Sequence, residues 1–236
     1  MPTGQKNQPA TNRLLAALPK KDYQRLLAES EPVTLSFGDI LFEPGDHIRH
    51  VYFPDNSIVS LLSVVNERAH IEVGIVGNDG MAGLPVFLGV NQSRHRGLVQ
   101  GEGRAVRMKA AVLRREMGNG GSLQKLLHRY THSLLTQISQ TAACNRFHMV
   151  NARLARWLLM THDRIEGGEF RLTQEFLSQM LGVRREGVTL AAGVLQKQEL
   201  IRYSRGQIRI LDRAGLEAAS CKCYAVVKDE YDNFLS

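Results

Sequence analysis

Cysteine is scarce in this chain, with three residues, Cys144, Cys221 and Cys223, among 236. That number closes off a disulfide framework. Cys221-x-Cys223 is tighter than the usual zinc-knuckle spacing, and no second Cys/His pair lies near it in the sequence, so no metal site is expected and the thiols read as reduced spares. Long apolar runs are also missing: none approaches the ~20 residues that span a bilayer. The opening MPTGQKNQPATNR lacks the apolar stretch of a secretory signal, which predicts a cytoplasmic protein without membrane contact. There is no Ser-His-Asp spacing, no G-x-x-x-x-G-K-S/T loop and no His-Glu-x-x-His, so an enzyme is not expected. Acidic residues are outnumbered, 23 against 30 basic ones, which gives a formal net charge of +7. The excess favours a polyanionic partner, nucleic acid before anything else.

Hydrophobic residues make up 43% and charged residues 22% of the chain, enough apolar material for a core and for two domains. Residues 1–13 are predicted to be a flexible tail. Residues 14–118 carry short β-rich runs (VTLSF, DILFE, HVYFP, SIVSLLSVV, HIEVGIV, GLVQ, RAVRM) broken by Pro44-Gly45-Asp46, Pro54-Asp55-Asn56, Gly77-Asn78-Asp79-Gly80 and Gly101-Glu102-Gly103. Regular short strands with such turns predict a barrel or β-roll. Residues 119–150 read as a long helix, N-capped by Ser122, ending in a hinge at Phe147–Asn151. Leu127, Leu134, Thr141 and His148, with Leu123, Tyr130, Gln137 and Cys144, form a seven-residue seam. Leu127, Tyr130, Leu134 and Thr141 are its expected dimer contacts, while Leu126, Leu135 and Ile138 form a second stripe to pack on the β-roll.

Residues 151–220 carry the pattern that decides the reading. After an amphipathic helix (NARLARWLLMTHDRI), the stretch LTQEFLSQMLGVRREGVTLAAGVLQKQELIRYSRGQIRIL reads as two short helices separated by Gly182-Val183, then a hairpin turning at Ser204-Arg205-Gly206-Gln207. Thr173 is placed to N-cap the first helix, with Glu175 in its first turn. Phe176, Leu177, Met180 and Leu181 supply its buried side, and Val183, Val188, Ala192 and Leu195 the inner face of the second helix. Gly182 permits a positive φ at the turn. Such a winged helix-turn-helix sets the start of its second helix into a DNA major groove. Arg185, Glu186 and Thr189 are the expected base contacts: an Arg can bond guanine O6 and N7, and a Glu can accept from cytosine N4. Thr173, Arg184, Arg202 and Arg205 are the expected phosphate contacts. Residues 221–236 are predicted to be a C-terminal tail. A competing reading is a small-molecule-binding module whose winged helix mediates protein contacts.

Over roughly residues 14–215 the chain resembles the Crp/Fnr family of bacterial transcription regulators. Gly182-Val183-Arg184-Arg185-Glu186-Gly187-Val188 is similar to the entry of that family's recognition helix, and Gly38–Asp46 followed by Val51-Tyr52-Phe53 to its early β-roll strands. The resemblance implies an α+β fold: a double-stranded, jelly-roll-like β-roll sensor, a long dimerisation helix and a C-terminal winged helix-turn-helix. It also implies a homodimer on a pseudo-palindromic DNA site, with RNA polymerase as a further partner.

The departures from the family pattern carry information too. The family's third base-contacting position, an Arg in the cyclic-AMP-responsive members, falls at Leu190. In the effector pocket implied by the resemblance, Gly83 aligns with the family's Gly, but Leu84 stands where cyclic-nucleotide binders have Glu, and Arg94 is followed by His95 rather than Ser or Thr. A ribose hydroxyl without its acceptor costs ~1–3 kcal/mol, so cyclic AMP is not expected to bind. The family's oxygen-sensing branch holds an iron–sulfur cluster on N-terminal cysteines, and this chain has none before Cys144. The scattered His47, His50, His70, His95 and His148 give no ground for haem, and no cofactor is expected.

Overall fold

The structure, a computed structural model, describes residues 12–66, 69–118, 120–165 and 169–235. Its first elements are α1 (Arg13–Ala16) and α2 (Lys20–Ala28). Asn12 is fully buried. Its Oδ1 accepts from Leu15 N at 3.1 Å while its Nδ2 donates to Pro54 O and Gly80 O at 2.8 and 3.0 Å. Of the tail expected over residues 1–13, residues 1–11 lie outside the described residues; Asn12 and Arg13 belong to the fold.

Seven strands follow: β1 (Ser30–Leu35), β2 (Ile40–Phe42), β3 (His50–Pro54), β4 (Ile58–Asn66), β5 (Ala69–Val76), β6 (Arg96–Gly101) and β7 (Gly103–Lys109). They form two antiparallel sheets, β1-β7-β3 and β2-β6-β4-β5. The inner faces enclose a core that includes Phe42, Val51, Phe53, Ile58, Val59, Leu62, Ile75 and Val99. The first five residues of central β4 are all buried, four of them apolar and the other Ser60.

The chain continues through α3 (Ala110–Met117), the long α4 (Ser122–Phe147), α5 (Val150–His162), β8 (Glu169–Arg171), α6 (Gln174–Leu181), α7 (Arg185–Lys197), β9 (Ile201–Ser204), β10 (Gln207–Ile210), α8 (Arg213–Ala219) and α9 (Cys223–Phe234). The expected α+β architecture of β-roll, long helix and winged helix-turn-helix is therefore present. Ser122 is the first residue of α4 rather than its cap; its hydroxyl bonds Asp22 instead.

Two expectations are corrected by the C-terminus. Residues 221–235 form no tail, because α9 buries Tyr224, Val227, Tyr231 and Phe234. It lies along α4, where Tyr231 and Phe234 meet the Tyr130 ring at centroid distances of 6.4 and 5.9 Å. The seven-residue seam of α4 therefore faces its own chain. Leu127, Tyr130 and Leu134 are covered, Tyr130 OH donating to Met81 O at 3.1 Å. Thr141, half-buried, donates to Gln137 O at 2.8 Å and accepts from Arg156 at 2.9 Å. The stripe expected to pack on the β-roll is the freer one: Leu135 is 58% exposed, and Leu126 and Ile138 are half-buried. The sequence period grouped the buried residues of the first stripe, but α9 and the β-roll of the same chain cover them instead of a second chain, and the second stripe is not buried on the β-roll as expected.

Polar groups fasten the second half of the chain to the β-roll. At the sheet edge, β5 leaves the N–H and C=O of Ile75 without a strand partner. The Gln137 amide takes both, its Oε1 accepting from Ile75 N and its Nε2 donating to Ile75 O at 3.2 Å and to Tyr231 OH at 2.8 Å. Trp157 Nε1 donates to Glu72 at 2.7 Å, and buried Arg164 grips buried Asp79 at 2.7 Å. Phe37 packs on Phe176 at a centroid distance of 5.5 Å.

Candidate nucleic-acid interface

The helix-turn-helix forms for the reasons its residue types suggest. Thr173 has extended backbone angles, and its Oγ1 accepts from Phe176 N at 3.1 Å, capping α6. Leu177, Met180 and Leu181 are buried, while Phe176 is half-buried. Gly182 ends the helix at φ +60°, and an added Cβ there would also lie 2.6 Å from Ile71 Cδ1 on β5. Glycine is thus required for the turn, and its lack of a Cβ also leaves room for Ile71 of the β-roll. Arg184 stands at the N-cap position of α7 without a side-chain cap bond, and the helix's inner face buries Val188, Ala191, Ala192 and Leu195.

The outer face of α7 is where the expected base contacts stand. Arg184, Arg185, Glu186, Thr189 and Leu190 are all exposed, Leu190 by 73%. Glu186 has no ion-pair partner among the described residues, so no surface salt bridge accounts for it. Gln174, which opens α6, accepts from Arg185 Nε at 3.4 Å and from Thr189 Oγ1 at 3.1 Å. One carbonyl oxygen thus holds two of the three expected base-contacting side chains in a common orientation. Sequence reasoning missed Gln174; its signal was its place directly after the cap, one helix away from the residues it orients.

The wing is a two-residue hairpin. Arg205 and Gly206 both have positive φ, +49° and +77°, as a type I′ turn requires. β10 pairs with β9 on one side and with β8, a strand the sequence reading did not include, on the other. Tyr203 OH donates to Leu172 O at 2.9 Å and Leu172 N to Gly206 O at 2.7 Å, which locks the wing to the start of α6. Desolvation raises the Tyr203 pKa above its ordinary value, so the phenol stays a donor at neutral pH. Thr173, Gln174, Arg185, Thr189, Tyr203 and Arg205 line one open groove between α7 and the wing. Arg202 is exposed on β9. All seven expected DNA-contacting residues are therefore exposed in this domain; Glu186 is the one carboxylate among them, and Glu175 is a further carboxylate at the groove itself.

The residues expected to form an effector pocket are placed differently. Gly83, at φ +100°, packs against Val51, and Leu84 is buried in the core at the start of a single 3-10 turn, Leu84–Val86. Arg94 is exposed, and His95 is half-buried, its pKa lowered by desolvation. Leu84 offers no acceptor toward a sugar.

The cysteines, read as reduced spares with no second Cys/His pair beside them in the sequence, lie together in three dimensions. Cys144 and His148 end α4, Cys221 and Cys223 begin the α9 segment, and one donor atom from each lies within 4.8 Å of the others. Sequence spacing could not reveal this, because the partner pair lies more than seventy residues away, across the hinge.

Residues 152–219 match the family model of the Crp-like helix-turn-helix domain. Solved structures with similar folds include FixK2 from Bradyrhizobium japonicum, 15% identical, covering 81% of this chain and 98% of that one with a TM-score of 0.69. TTHB099, a CRP-family transcriptional regulator from Thermus thermophilus, is 16% identical over 80% of this chain and 96% of its own, with a TM-score of 0.65. A CooA mutant from Carboxydothermus hydrogenoformans is 14% identical over 91% and 97%, with a TM-score of 0.61. Among curated proteins, none matches the chain in sequence. No helix among the described residues is long and apolar enough to cross a membrane.

Proposed function

We propose that this chain, which has the fold of the Crp/Fnr transcription regulators and carries their helix-turn-helix domain, is a sequence-specific DNA-binding regulator that acts as a homodimer. The observation that carries the reading is the exposed set Arg185, Glu186 and Thr189 at the start of α7, of which Arg185 and Thr189 share the Gln174 side-chain oxygen of α6. A surface built only for phosphates gains nothing from a carboxylate against the duplex. Beside a guanidinium, a carboxylate fits base edges, Arg185 to guanine and Glu186 to cytosine, each pair worth ~1–3 kcal/mol of discrimination. Thr173, Arg184, Arg202 and Arg205 fit phosphates on either side. Leu190 cannot hydrogen-bond, but its exposed side chain fits the 5-methyl of thymine. The operator then differs at that base pair from one read by Arg.

Two copies would meet along the exposed face of α4, at Leu135, Ile138 and Ala142, and present two recognition helices to half-sites ~34 Å apart. The effector is not cyclic AMP, since Leu84 replaces the carboxylate that takes its sugar. An effector of other chemistry would act by shifting the chain between conformations of different α7 spacing.

Selection of bound DNA from a random pool tests the reading. A recovered pseudo-palindrome with a G·C pair at the Arg185–Glu186 position supports it; recovery of no consensus sinks it. A salt titration separates it from a winged helix that contacts protein: binding to random DNA must fall steeply as salt rises.

A further inference from the structure

Cys144 and His148 lie one turn apart at the end of α4, where His148 N donates to Cys144 O at 3.1 Å and the backbone of His148 turns extended. Cys221 and Cys223 lie at the junction of α8 and α9. Cys144 Sγ stands 3.4 Å from Cys221 Sγ, and Cys223 Sγ 3.7 Å from His148 Nδ1. Around a tetrahedral zinc ion, with ~2.3 Å to sulfur and ~2.05 Å to nitrogen, donors are separated by ~3.8 Å (S to S) and ~3.6 Å (S to N). The two observed distances lie within about 0.4 Å of these, and the remaining donor pairs within 4.8 Å, so small side-chain adjustments close a four-coordinate site. With all four donors inside 4.8 Å, there is room for one ion. A two-iron cluster, whose end ligands sit on opposite irons, needs a wider set.

The surroundings supply a second, independent argument from charge. Arg153 and Arg156 are buried, at 8% and 6% exposed, and line the same small cavity as Cys144. Neither forms an ion pair within 4 Å among the described residues, and the Nε of each has no hydrogen-bond partner there; Glu72, which lines the same cavity and interacts electrostatically with Arg156, is itself pushed toward its neutral form by burial. Two buried guanidiniums next to three neutral thiols are costly. Three thiolates, one neutral imidazole and a divalent cation sum to −1, and that anionic centre offsets them. As the metal–sulfur bonds form, each thiol releases its proton to solvent; no electron changes hands.

We propose that Cys144, His148, Cys221 and Cys223 bind one zinc ion and that this ion clamps the hinge between the long helix and the DNA-binding domain. The hinge position follows from the fold: α4 ends at Phe147, α5 begins at Val150, and Ala152 of α5 packs on the three cysteines. Everything from α5 to α8 lies between His148 and Cys221 in sequence, so the ion closes a loop that contains the whole helix-turn-helix. It thereby fixes where the domain leaves α4 and ties α9 to the same point. Binding and loss of the ion would shift the placement of α7. This last step rests on the regulator reading above; the site itself does not.

The test uses the full chain, purified in reducing buffer. Elemental analysis is expected to return one zinc per chain, and replacement by Co²⁺ to give the strong visible absorption of tetrahedral cobalt thiolate. The chain's three cysteines all lie in the site, so thiol titration reads this site alone: the thiols should be protected with metal and reactive after chelation. His148 is exposed, so His148→Ala spares the core and should weaken the ion by more than ~tenfold; Cys223→Ser should do the same, and His132→Ala should change nothing. Three freely reactive thiols after zinc loading would overturn the site, as would a Cys144–Cys221 disulfide that persists in reductant, iron with acid-labile sulfide, or zinc affinity indifferent to His148→Ala. Loss of the ion should lower affinity for the selected operator severalfold. Zinc bound as described with operator affinity unchanged by chelation would overturn the clamp and leave the site standing; failure to bind any DNA in either state would count against the regulator reading instead.

Discussion

The indole Nε1 of Trp157 donates to the carboxyl of Glu72 at 2.7 Å, joining α5 of the C-terminal half to β5 of the β-roll inside a buried interface. Glu72 is only 6% exposed. Ser60 Oγ stands 2.7 Å from its other oxygen and 2.8 Å from Gln100 Oε1. With the Gln100 amide in this orientation, one hydroxyl proton cannot serve both acceptors. A proton on Glu72 resolves the network: the carboxyl donates to Ser60, and Ser60 donates to Gln100. Burial raises the Glu72 pKa from its ordinary 4.5 to about 7, against the hydrogen bonds that Ser60 and Trp157 give to the ionised form.

Stability should therefore fall as pH rises across this window. The folded chain holds a proton on Glu72 up to about pH 7, the unfolded chain only to about 4.5. Between those values the folded state binds more protons, so alkali favours unfolding. At ~1.4 kcal/mol per pH unit, the contribution lost by pH 8 is about 3 kcal/mol. Glu72→Gln should remove this dependence and raise the Tm at pH 8. Thermal melts of both proteins at pH 5, 6, 7 and 8 check it; parallel curves would show that Glu72 is ionised throughout.

Arg185→Ala should cost ~1–3 kcal/mol on the selected operator, roughly five- to 150-fold in affinity, and less on random DNA. Gln174→Ala touches no base and should give a smaller loss in the same direction, by freeing Arg185 and Thr189 from their shared acceptor. Titrations of specific and random duplexes at one salt concentration decide. Equal losses on both would make Arg185 a phosphate anchor.

What was legible in the sequence was what depends on near neighbours. The cap at Thr173, the turn at Gly182, the Arg205-Gly206 hairpin and the exposed Arg185-Glu186 step follow from local backbone preference and helical period, and each formed as read. What failed depended on distant partners. The period of α4 located a buried stripe but could not say whether a second chain or α9 covers it. Cys144 and Cys221 meet only because α9 folds back along α4. Gln137 reads as a polar break in a seam until β5 presents the free edge that it completes.

Asp79→Asn should be among the most damaging single substitutions outside the apolar core. Asp79 and Arg164 have side chains 6% and 4% exposed, and they join the Gly77–Gly80 turn of the sensor to the end of α5. The Arg164 guanidinium also lies over the Tyr231 ring at 5.0 Å. Removing the carboxylate charge leaves a buried cation without its partner, at a cost of ~3–5 kcal/mol. In a chain of this size that is a fall in Tm of roughly 10 °C, measurable by calorimetry. A change within a degree or two would mean that water or another acceptor replaces Asp79.

Adjacent leucines on α4 should respond in opposite ways to the same substitution. Leu134 is 5% exposed and its Cδ1 lies 3.3 Å from where a Cβ would stand on Gly74, so Leu134→Asp buries a carboxylate against β5. That variant should lose much of its thermal stability whatever its assembly state. Leu135 is 58% exposed, with half-buried Ile138 on the same stripe. Leu135→Asp leaves the monomer's core intact and places a charge, and its copy, in the proposed twofold contact. It should sediment as a monomer with its fold preserved by circular dichroism, and it should bind operator half-sites but lose affinity for the full site. A Leu135→Asp protein that still sediments as a dimer would move the subunit contact off this face of the long helix.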